Sequence, residues 1–419
     1  MRGFVKVVLI IMFCLALLAF FLVAEPAPAL SPAGAGQAAA QVPLIQGTVA
    51  ARLDFRVHNG IITIPVRVNG SKELRMYLDT GMSAPVVVLF HKEAIEELGL
   101  KGRSQILIGG AGGEARKPAT VVPGATVEAG GLRLPGLNLI IMEDSREKSD
   151  WSVDGIIGKC FFDKYLTEID YERSILTFYE PAGAVIGPGA VSVPIDLAIG
   201  IPFIDGAVDI EGVKRIPIKF VVDLGNRHAL SLNENGEKGV LPPKTTVKSI
   251  GGRGIQGVIP AVIGRIKALE FGGFSIADIP TAFLAPGTNA GLSGTIVGGN
   301  IGSLIWSRFK VVLDYAGKRM LLVPNSRSAK PVPFNMAGLV LEQDRDDLYF
   351  VRHVVEGSPA FEKGLKAGDR ITSINGVDVR KYSYREVLDI FNGAGRPVRL
   401  TLERGSERLK IKLTLKRLI

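Results

Sequence analysis

The sequence predicts a mostly β chain in which two related lobes precede a small α+β module. Three observations predict it: an abundance of turn residues, paired segments at a fixed spacing, and a basic, proline-bearing break after residue 324. Fifty Gly and 24 Pro against 7% aromatics in 419 residues favour short strands and tight turns over long helices. Hydrophobic residues at 47% and charged residues at 22% exclude a disordered polyelectrolyte and a polytopic membrane protein. At roughly 100 to 200 residues per domain the length leaves room for more than one domain.

The charge of +9, from 50 Lys and Arg against 41 Asp and Glu, is scattered. It forms no stripe interleaved with aromatics, so no nucleic-acid partner is implied. Cys14 and Cys160 are the two cysteines, and Cys14 lies in the N-terminal apolar run, which leaves the mature domains no internal disulfide. Cys160 reads as a buried core thiol. With four His and neither HExxH nor paired CxxC, the sequence implies no metal and no cofactor. His91 and His228 read as surface or loop residues.

At the N-terminus, Arg2 and Lys6 precede the apolar run Val7 to Val23, and Ala27-Pro28-Ala29 offers a small-x-small cleavage site. Residues 1–29 therefore read as a secretory signal peptide or an N-terminal anchor, and the expected location is exported: periplasmic, cell-surface or secreted. Residues 30–45 read as a flexible linker. A second linker, 326–333, follows Pro324, so the expected units are 46–325, with lobes of about 46–182 and 183–325, and 334–419.

Self-similarity carries the central unit. Met76-Tyr-Leu-Asp79-Thr-Gly81 and Phe220-Val-Val-Asp223-Leu-Gly225 share the form apolar, apolar, Asp, x, Gly. Downstream, Ile156-Ile157-Gly158 and Ile169-Asp170-Tyr171 match Asn300-Ile301-Gly302 and Leu313-Asp314-Tyr315. The spacings agree: 158 minus 79 and 302 minus 223 are both 79, and 170 minus 79 and 314 minus 223 are both 91. Gly-rich segments Gly109-Gly110-Ala-Gly112-Gly113 and Gly251-Gly252-Arg-Gly254 fall at comparable places. A tandem duplication follows. Each half reads as short strands, among them Ile61 to Val68, Met76 to Leu78 and Leu176 to Tyr179, with a helix-like stretch at Lys92 to Leu98. Asp170 and Asp314 end strands before turns and read as structural.

If the lobes pack about a pseudo-twofold axis, Asp79 and Asp223 become symmetry mates. Two carboxylates about 3 Å apart cannot both ionise, so one proton is shared, and the pair can act as base and acid on a water attacking an amide.

These residues resemble the aspartic peptidases, pepsin-like and retropepsin-like, over about residues 55 to 325. The carriers are Leu78-Asp79-Thr80-Gly81, Ile156-Ile157-Gly158 and Gly109 to Gly113. The resemblance implies a bilobal double β-barrel with pseudo-twofold symmetry. It implies that Asp79 and Asp223 are catalytic, that Thr80, Gly81 and Gly225 support the two turns, and that Gly109, Gly110, Gly112, Gly113, Gly251 and Gly252 form flaps over a polypeptide substrate. The second turn departs from the pattern: Leu224 replaces the Thr of the usual cross-link between turns, and Arg227 sits close in sequence to Asp223. A catalytically inactive exported peptide-binding scaffold is the alternative, and pairing of Asp79 with Asp79 of another chain is a third arrangement, disfavoured by the duplication.

Residues 334–419 hold Gly357-Ser358-Pro359-Ala360, Gly364-Leu365-Lys366-Ala367-Gly368-Asp369 and Ile371-Thr-Ser-Ile374-Asn375-Gly376. Ser-Pro-Ala starts a short helix, Asn375-Gly376 is a hairpin signal, and Tyr384 to Phe391 reads as a later helix. Together they resemble a PDZ domain. That implies a peptide or protein ligand, met by the loop Ala337-Gly338-Leu339, or else a closed groove used only for packing on the larger unit. The expected membrane contact is limited to the N-terminal anchor.

Overall fold

The computed structural model describes residues 44–91, 93–100, 104–112, 116–142, 152–286 and 298–419. The chain divides between Val42 and Pro43, and the described residues belong to the C-terminal unit. The signal or anchor expected at 1–29 and most of the linker expected at 30–45 lie outside them.

Strand by strand, the duplication is visible. One sheet runs Arg56–His58, Ile61–Val68, Leu74–Asp79, Gly155–Gly158, Val87–Leu89, Leu132–Met142, Lys117–Ala129, Ser104–Ile108, and it closes by pairing Ile61–Val68 with Lys117–Ala129. The other runs Phe203–Ile210, Val213–Asp223, Gly299–Gly302, Leu230–Asn233, Phe274–Leu284, Gly257–Phe271, Thr246–Gly254, closed by Phe203–Ile210 against Gly257–Phe271. From Ile61–Val68 onward the first order is that of the second. Both sheets are thus barrels with no free long edge at the closure.

A third sheet joins the lobes. At its centre Leu166–Asp170 lies antiparallel to Phe309–Asp314, with Glu168 opposite Val312. The lobes are offset by 223 minus 79, or 144 residues, and 312 minus 168 is also 144, so equivalent residues face each other there. The flanking pairs Thr167 with Leu313 and Ile169 with Val311 exchange under the same shift. A pseudo-twofold axis therefore passes between Glu168 and Val312.

Alternation explains what faces where. In Leu74–Asp79, Leu74, Met76 and Leu78 are buried while Arg75, Tyr77 and Asp79 are only partly covered, so the period of two sends Asp79 to the face opposite the core. One continuous apolar core serves both lobes, including Phe161 stacked on Phe178 at 5.0 Å and Trp306 edge-on to Phe271. Cys160 is buried in it, and burial pushes its thiol up to about 12. The expected helix at Lys92 to Leu98 shortens to Ala94–Glu97. Asp170 and Asp314 accept backbone N–H bonds from the turns that follow them.

The C-terminal module has its own core, centred on Tyr349, Ile371, Val387 and Phe391. Its strands are ordered Leu339–Gln343, Tyr349–Val354, Arg370–Ile374, Pro397–Arg404, Glu407–Thr414, with Val377–Asp378 beside Arg370–Ile374. Ser358 caps Pro359–Glu362 with Pro359 at its start, and Ser383 and Glu386 form a capping box on Tyr384–Ile390. Asn375 and Gly376 take φ of 52° and 85°, as a primed hairpin turn requires.

The Gly-ended strands pair in parallel with the Asp-ended strands, Gly158 opposite Asp79 and Gly302 opposite Asp223. A β-carbon at Gly158 would overlap the Asp79 carbonyl oxygen, and one at Gly302 would overlap the carbonyls of His228 and Asn226. Gly158→Ala is expected to destabilise the fold by about 1–3 kcal/mol or more in chemical denaturation. Gly236→Ala, where a β-carbon meets nothing within 4 Å, serves as the near-neutral control.

Candidate active site

Asp79 and Asp223 end equivalent strands and lie beside the same two glycines. The Gly81 N–H donates to Asp79 Oδ1 at 2.6 Å and the Gly225 N–H to Asp223 Oδ1 at 3.0 Å. A β-carbon at Gly81 would stand 3.0 Å from Asp79 Oδ1 and 3.6 Å from Asp223 Oδ1. One at Gly225 would stand 2.5 to 2.7 Å from the Asp79 carboxyl atoms. Glycine is required at Gly225 because the Asp79 carboxyl occupies the space of a side chain there, while at Gly81 the tight neighbour is Asp79 of its own turn.

Face to face, the two groups raise each other's cost of ionisation. Burial and then repulsion by Asp79 push Asp223 up to about 8, against donors at Gly225, Asn226 and Asn300. Burial also raises Asp79, opposed by the N–H groups of Gly81 and Gly225. Such a pair keeps a proton into the neutral range, and that proton belongs to the pair rather than to one residue.

Beneath the carboxyls, Thr80 binds the opposite turn alone. Its Oγ1 donates to Val222 O at 2.5 Å and accepts from Leu224 N at 2.9 Å. Leu224 is fully buried in the shared core, so packing takes the place of the second hydroxyl.

Asn300 is a partner that the sequence reading did not single out. Its Nδ2 donates to Asp223 Oδ2 at 2.9 Å. It stands 144 residues after Ile156, so the signal was in the repeat: an amide replaces an alkyl group beside one carboxyl. The Asn300 Oδ1 is buried without a hydrogen-bond partner among the described residues.

Over the carboxyls the two Gly-rich segments meet at their tips. Gln256 N donates to Ala111 O and Gly110 N to Gln256 Oε1, both at 3.0 Å. Gly112 has φ +128° and abuts the Gln256 backbone, and a β-carbon at Gly254 would overlap Ala111 O. Gly109 also faces Gln256, while Gly251 packs on Ala261 and Leu284, and Gly252 has φ +135°. Gly113 lies outside the described residues. The tips cross over: Ile255 packs with Val88 and Ile140 of the first lobe, and Ala111 with Ile259 and Leu284 of the second.

Below this roof lies a cavity of about 580 Å³ lined by Asp79, Asp223 and both flaps. Met82, Val86, Ile140 and Ile156 give it apolar walls. Glu342 and Arg352 of the C-terminal module also line it. Arg227, which the sequence left open as a partner for Asp223, turns to that module: its Nη1 donates to Leu341 O at 3.2 Å and its Nη2 lies 3.7 Å from Glu342 Oε1.

Beside it, Asn59 acts as a one-residue strand partner. Asn59 Oδ1 accepts from Gln343 N at 2.5 Å, Asn59 Nδ2 donates to Gln343 O at 3.2 Å, and Asn59 N donates to Gln343 Oε1 at 2.9 Å. Gly60 follows it at φ +83°, against the ring of Tyr384. The turn thus sits between strand Leu339–Gln343 and helix Tyr384–Ile390, and part of that strand's backbone is already paired within the chain. Ala337 and Leu339 at its other end are buried, and Gly338 has φ +76° against Ser358.

Both histidines lie in loops, in keeping with their sequence reading. His91 is nonetheless only 2% exposed and lies 3.8 Å from Asp154. Burial with the nearby Arg227 pushes His228 down to about 3.

Residues 64–161 match the aspartyl protease family and residues 350–404 the PDZ domain family. The Multiple PDZ domain protein of Homo sapiens is 44% identical over 50 residues, 12% of this chain and 2% of that protein. The InaD-like protein of Canis lupus familiaris is 42% identical over 50 residues, 12% of this chain and 3% of that protein. The chain thus spans only 2–3% of the length of these curated relatives. The solved structure of an aspartic proteinase from Irpex lacteus aligns at a TM-score of 0.44 with 13% identity, over 67% of this chain and 99% of that one. The chain carries an aspartic-peptidase segment and, C-terminal to it, a PDZ domain, on a mostly β fold.

Two outcomes test the site's construction. Thr80→Val leaves the buried Val222 carbonyl and Leu224 N–H unpaired and is expected to cost about 2–5 kcal/mol by chemical denaturation, with Thr80→Ser retaining most of it. For Asp223 the sign follows from its raised pKa: the folded state holds the extra proton, so stability is greatest in acid and declines as pH rises from the unfolded carboxyl range toward about 8. Asp223→Asn should therefore raise the melting temperature more in mildly alkaline than in acidic buffer.

Proposed function

We propose that the chain is an exported aspartic endopeptidase in which Asp79 and Asp223 share one proton and activate a water against a peptide bond. The observation that carries this reading is the pair of carboxyls set on the N–H groups of two glycines, beneath flaps that meet over an apolar cavity.

In this mechanism the ionised member takes a proton from the attacking water while the protonated member donates to the carbonyl oxygen as it becomes tetrahedral. The water's oxygen bonds to the carbonyl carbon. The leaving nitrogen then takes the proton that the first carboxyl received from the water. One hydroxyl of the tetrahedral intermediate gives its proton to the other carboxylate as the C–N bond breaks and the product carboxyl forms, and the pair is again singly protonated. Gly81 and Gly225 hold the carboxyl planes, so little reorganisation accompanies charge movement. The two tips are joined through Ala111, Gly110 and Gln256, so they would have to part for an extended chain to enter and could close over it again. Apolar walls favour apolar side chains next to the cleaved bond.

Export is supported by Arg2 and Lys6, the apolar run Val7 to Val23 and Ala27-Pro28-Ala29. For the PDZ domain, we assign peptide or partner binding to the end of its first strand, at Ala337-Gly338-Leu339, since the Gln343 end is held by Asn59.

Incubating the full chain with an unstructured polypeptide across acidic to alkaline pH tests this. Cleavage should occur in the wild type, vanish in both Asp79→Asn and Asp223→Asn, and decline above about pH 8 as the shared proton is lost. Peptide binding without cleavage at every pH would favour the scaffold reading, to which the one-sided Thr80 grip is the relevant departure. Cleavage unchanged in Asp79→Asn would remove the mechanism.

A further inference from the structure

The outer edge of the first PDZ strand is occupied, and its occupants come from both peptidase lobes. Leu339–Gln343 has one neighbour in its sheet, Tyr349–Val354, so its other side is an edge. Asp344 N donates to Leu348 O at 2.9 Å on the inner side, so by alternation Gln343 and Leu341 turn their backbone groups outward. There Gln343 N donates to Asn59 Oδ1 at 2.5 Å, and Asn59 Nδ2 donates to Gln343 O at 3.2 Å. Leu341 O accepts from Arg227 Nη1 at 3.2 Å. A β-carbon at Gly60 would stand 2.9 Å from the Tyr384 ring and 3.0 Å from Arg227 Cβ, so the turn fills the gap between this strand and helix Tyr384–Ile390. Behind it, Ser303 Oγ donates to Gly60 O at 2.6 Å. Beside it, Asp347 Oδ1 lies 3.3 Å from His58 Nδ1, and Arg345 Nη2 lies 3.1 Å from Asp154 Oδ1.

We propose that the Asn59-Gly60 turn, with Arg227, is a built-in competitor for the PDZ domain's own ligand: an extended peptide that adds as a strand along Leu341–Gln343 binds only by displacing it. The ligand class follows from what is displaced. The Asn59 amide gives Gln343 one acceptor and one donor, as a facing residue does in an antiparallel pair, so its replacement is a strand recognised through its main chain. A peptide confined to Ala337-Gly338-Leu339 leaves the turn in place. The proposal rests on the assignment of peptide binding to this strand and is independent of the chemistry of the acid pair. Because the turn is part of the same chain, it competes at a high effective concentration. Asn59, Arg227 and Glu342 all line the cavity that holds the acids, so filling the PDZ edge and reshaping the cleft are one linked equilibrium.

The test uses the full chain bearing Asp79→Asn, so that peptides are bound and not cut. Adding Asn59→Gly removes the competing amide, while glycine keeps the φ of 54° found there. Dye-labelled heptapeptides from a randomised pool are retained on this chain and counter-screened on the same chain carrying Gln343→Pro. Proline at that position deletes the outward N–H and spares the pairing with Tyr349–Val354, so edge binders are lost and cleft binders are kept. The selected heptapeptide should bind about tenfold more weakly to the chain that retains Asn59, where only a fraction of molecules presents a free edge. Its binding there should also speed amide hydrogen exchange over residues 58–61. Equal affinity for the two chains, or exchange over 58–61 unchanged on binding, overturns the competitor and leaves the peptide-binding strand standing. A pool in which Gln343→Pro costs no peptide its binding overturns strand addition as well, and cleavage by the chain with Asp79 intact decides the peptidase reading separately.

Discussion

Two partly covered carboxyls packed against the same pair of glycine turns are the constraint around which the molecule is arranged. Left alone, Asp79 and Asp223 would repel each other and their burial would oppose ionisation. The fold answers with donors from the backbone: Gly81 and Gly225 point their N–H groups at the carboxyls, and Gly225 must be glycine because the facing Asp79 carboxyl fills the space of a side chain. The parallel pairing of Gly158 with Asp79 and Gly302 with Asp223 sets the height of both turns. Farther out, the Glu168 and Val312 pairing sets the axis that makes the turns converge.

Symmetry in the backbone coexists with asymmetry in the side chains. Thr80 ties both turns together from one side, and buried Leu224 supplies packing from the other. Asn300 gives Asp223 a donor where Asp79 has only the alkyl group of Ile156 at the equivalent place. The two acids are therefore chemically distinct. A duplicated fold can tune its halves separately once a single chain carries both, which two copies of one short chain cannot do.

Much of this was legible in the sequence because the signals are local and repeated. The 79-residue spacing reappears as the pairing of Gly158 with Asp79 and of Gly302 with Asp223, and the Gly-rich segments reappear as hairpin tips that touch. Asn375-Gly376 and Ser358-Pro359 announce their turn and helix cap through backbone chemistry alone. What escaped was contact between distant segments. Asn59 and Gln343 are separated by 284 residues, and their hydrogen bonds leave no periodic trace. The same holds for Arg227, whose nearness to Asp223 in sequence suggested one partner while the docked PDZ strand supplied another, Glu342. His91 is buried beside Asp154, a neighbour 63 residues away that its own loop position does not announce. Asn300 is the exception: aligning the repeats position by position exposes it as a polar residue at an apolar position.

The shared proton is the claim on which the chemistry stands, and difference infrared spectroscopy reads it without a substrate. In the full chain at neutral pH, the account predicts a carboxylic-acid C=O band from a buried protonated carboxyl, absent from both Asp79→Asn and Asp223→Asn and bleached in the wild type only as pH passes about 8. A neutral-pH spectrum showing both residues fully ionised, with no band that either substitution removes, would contradict it.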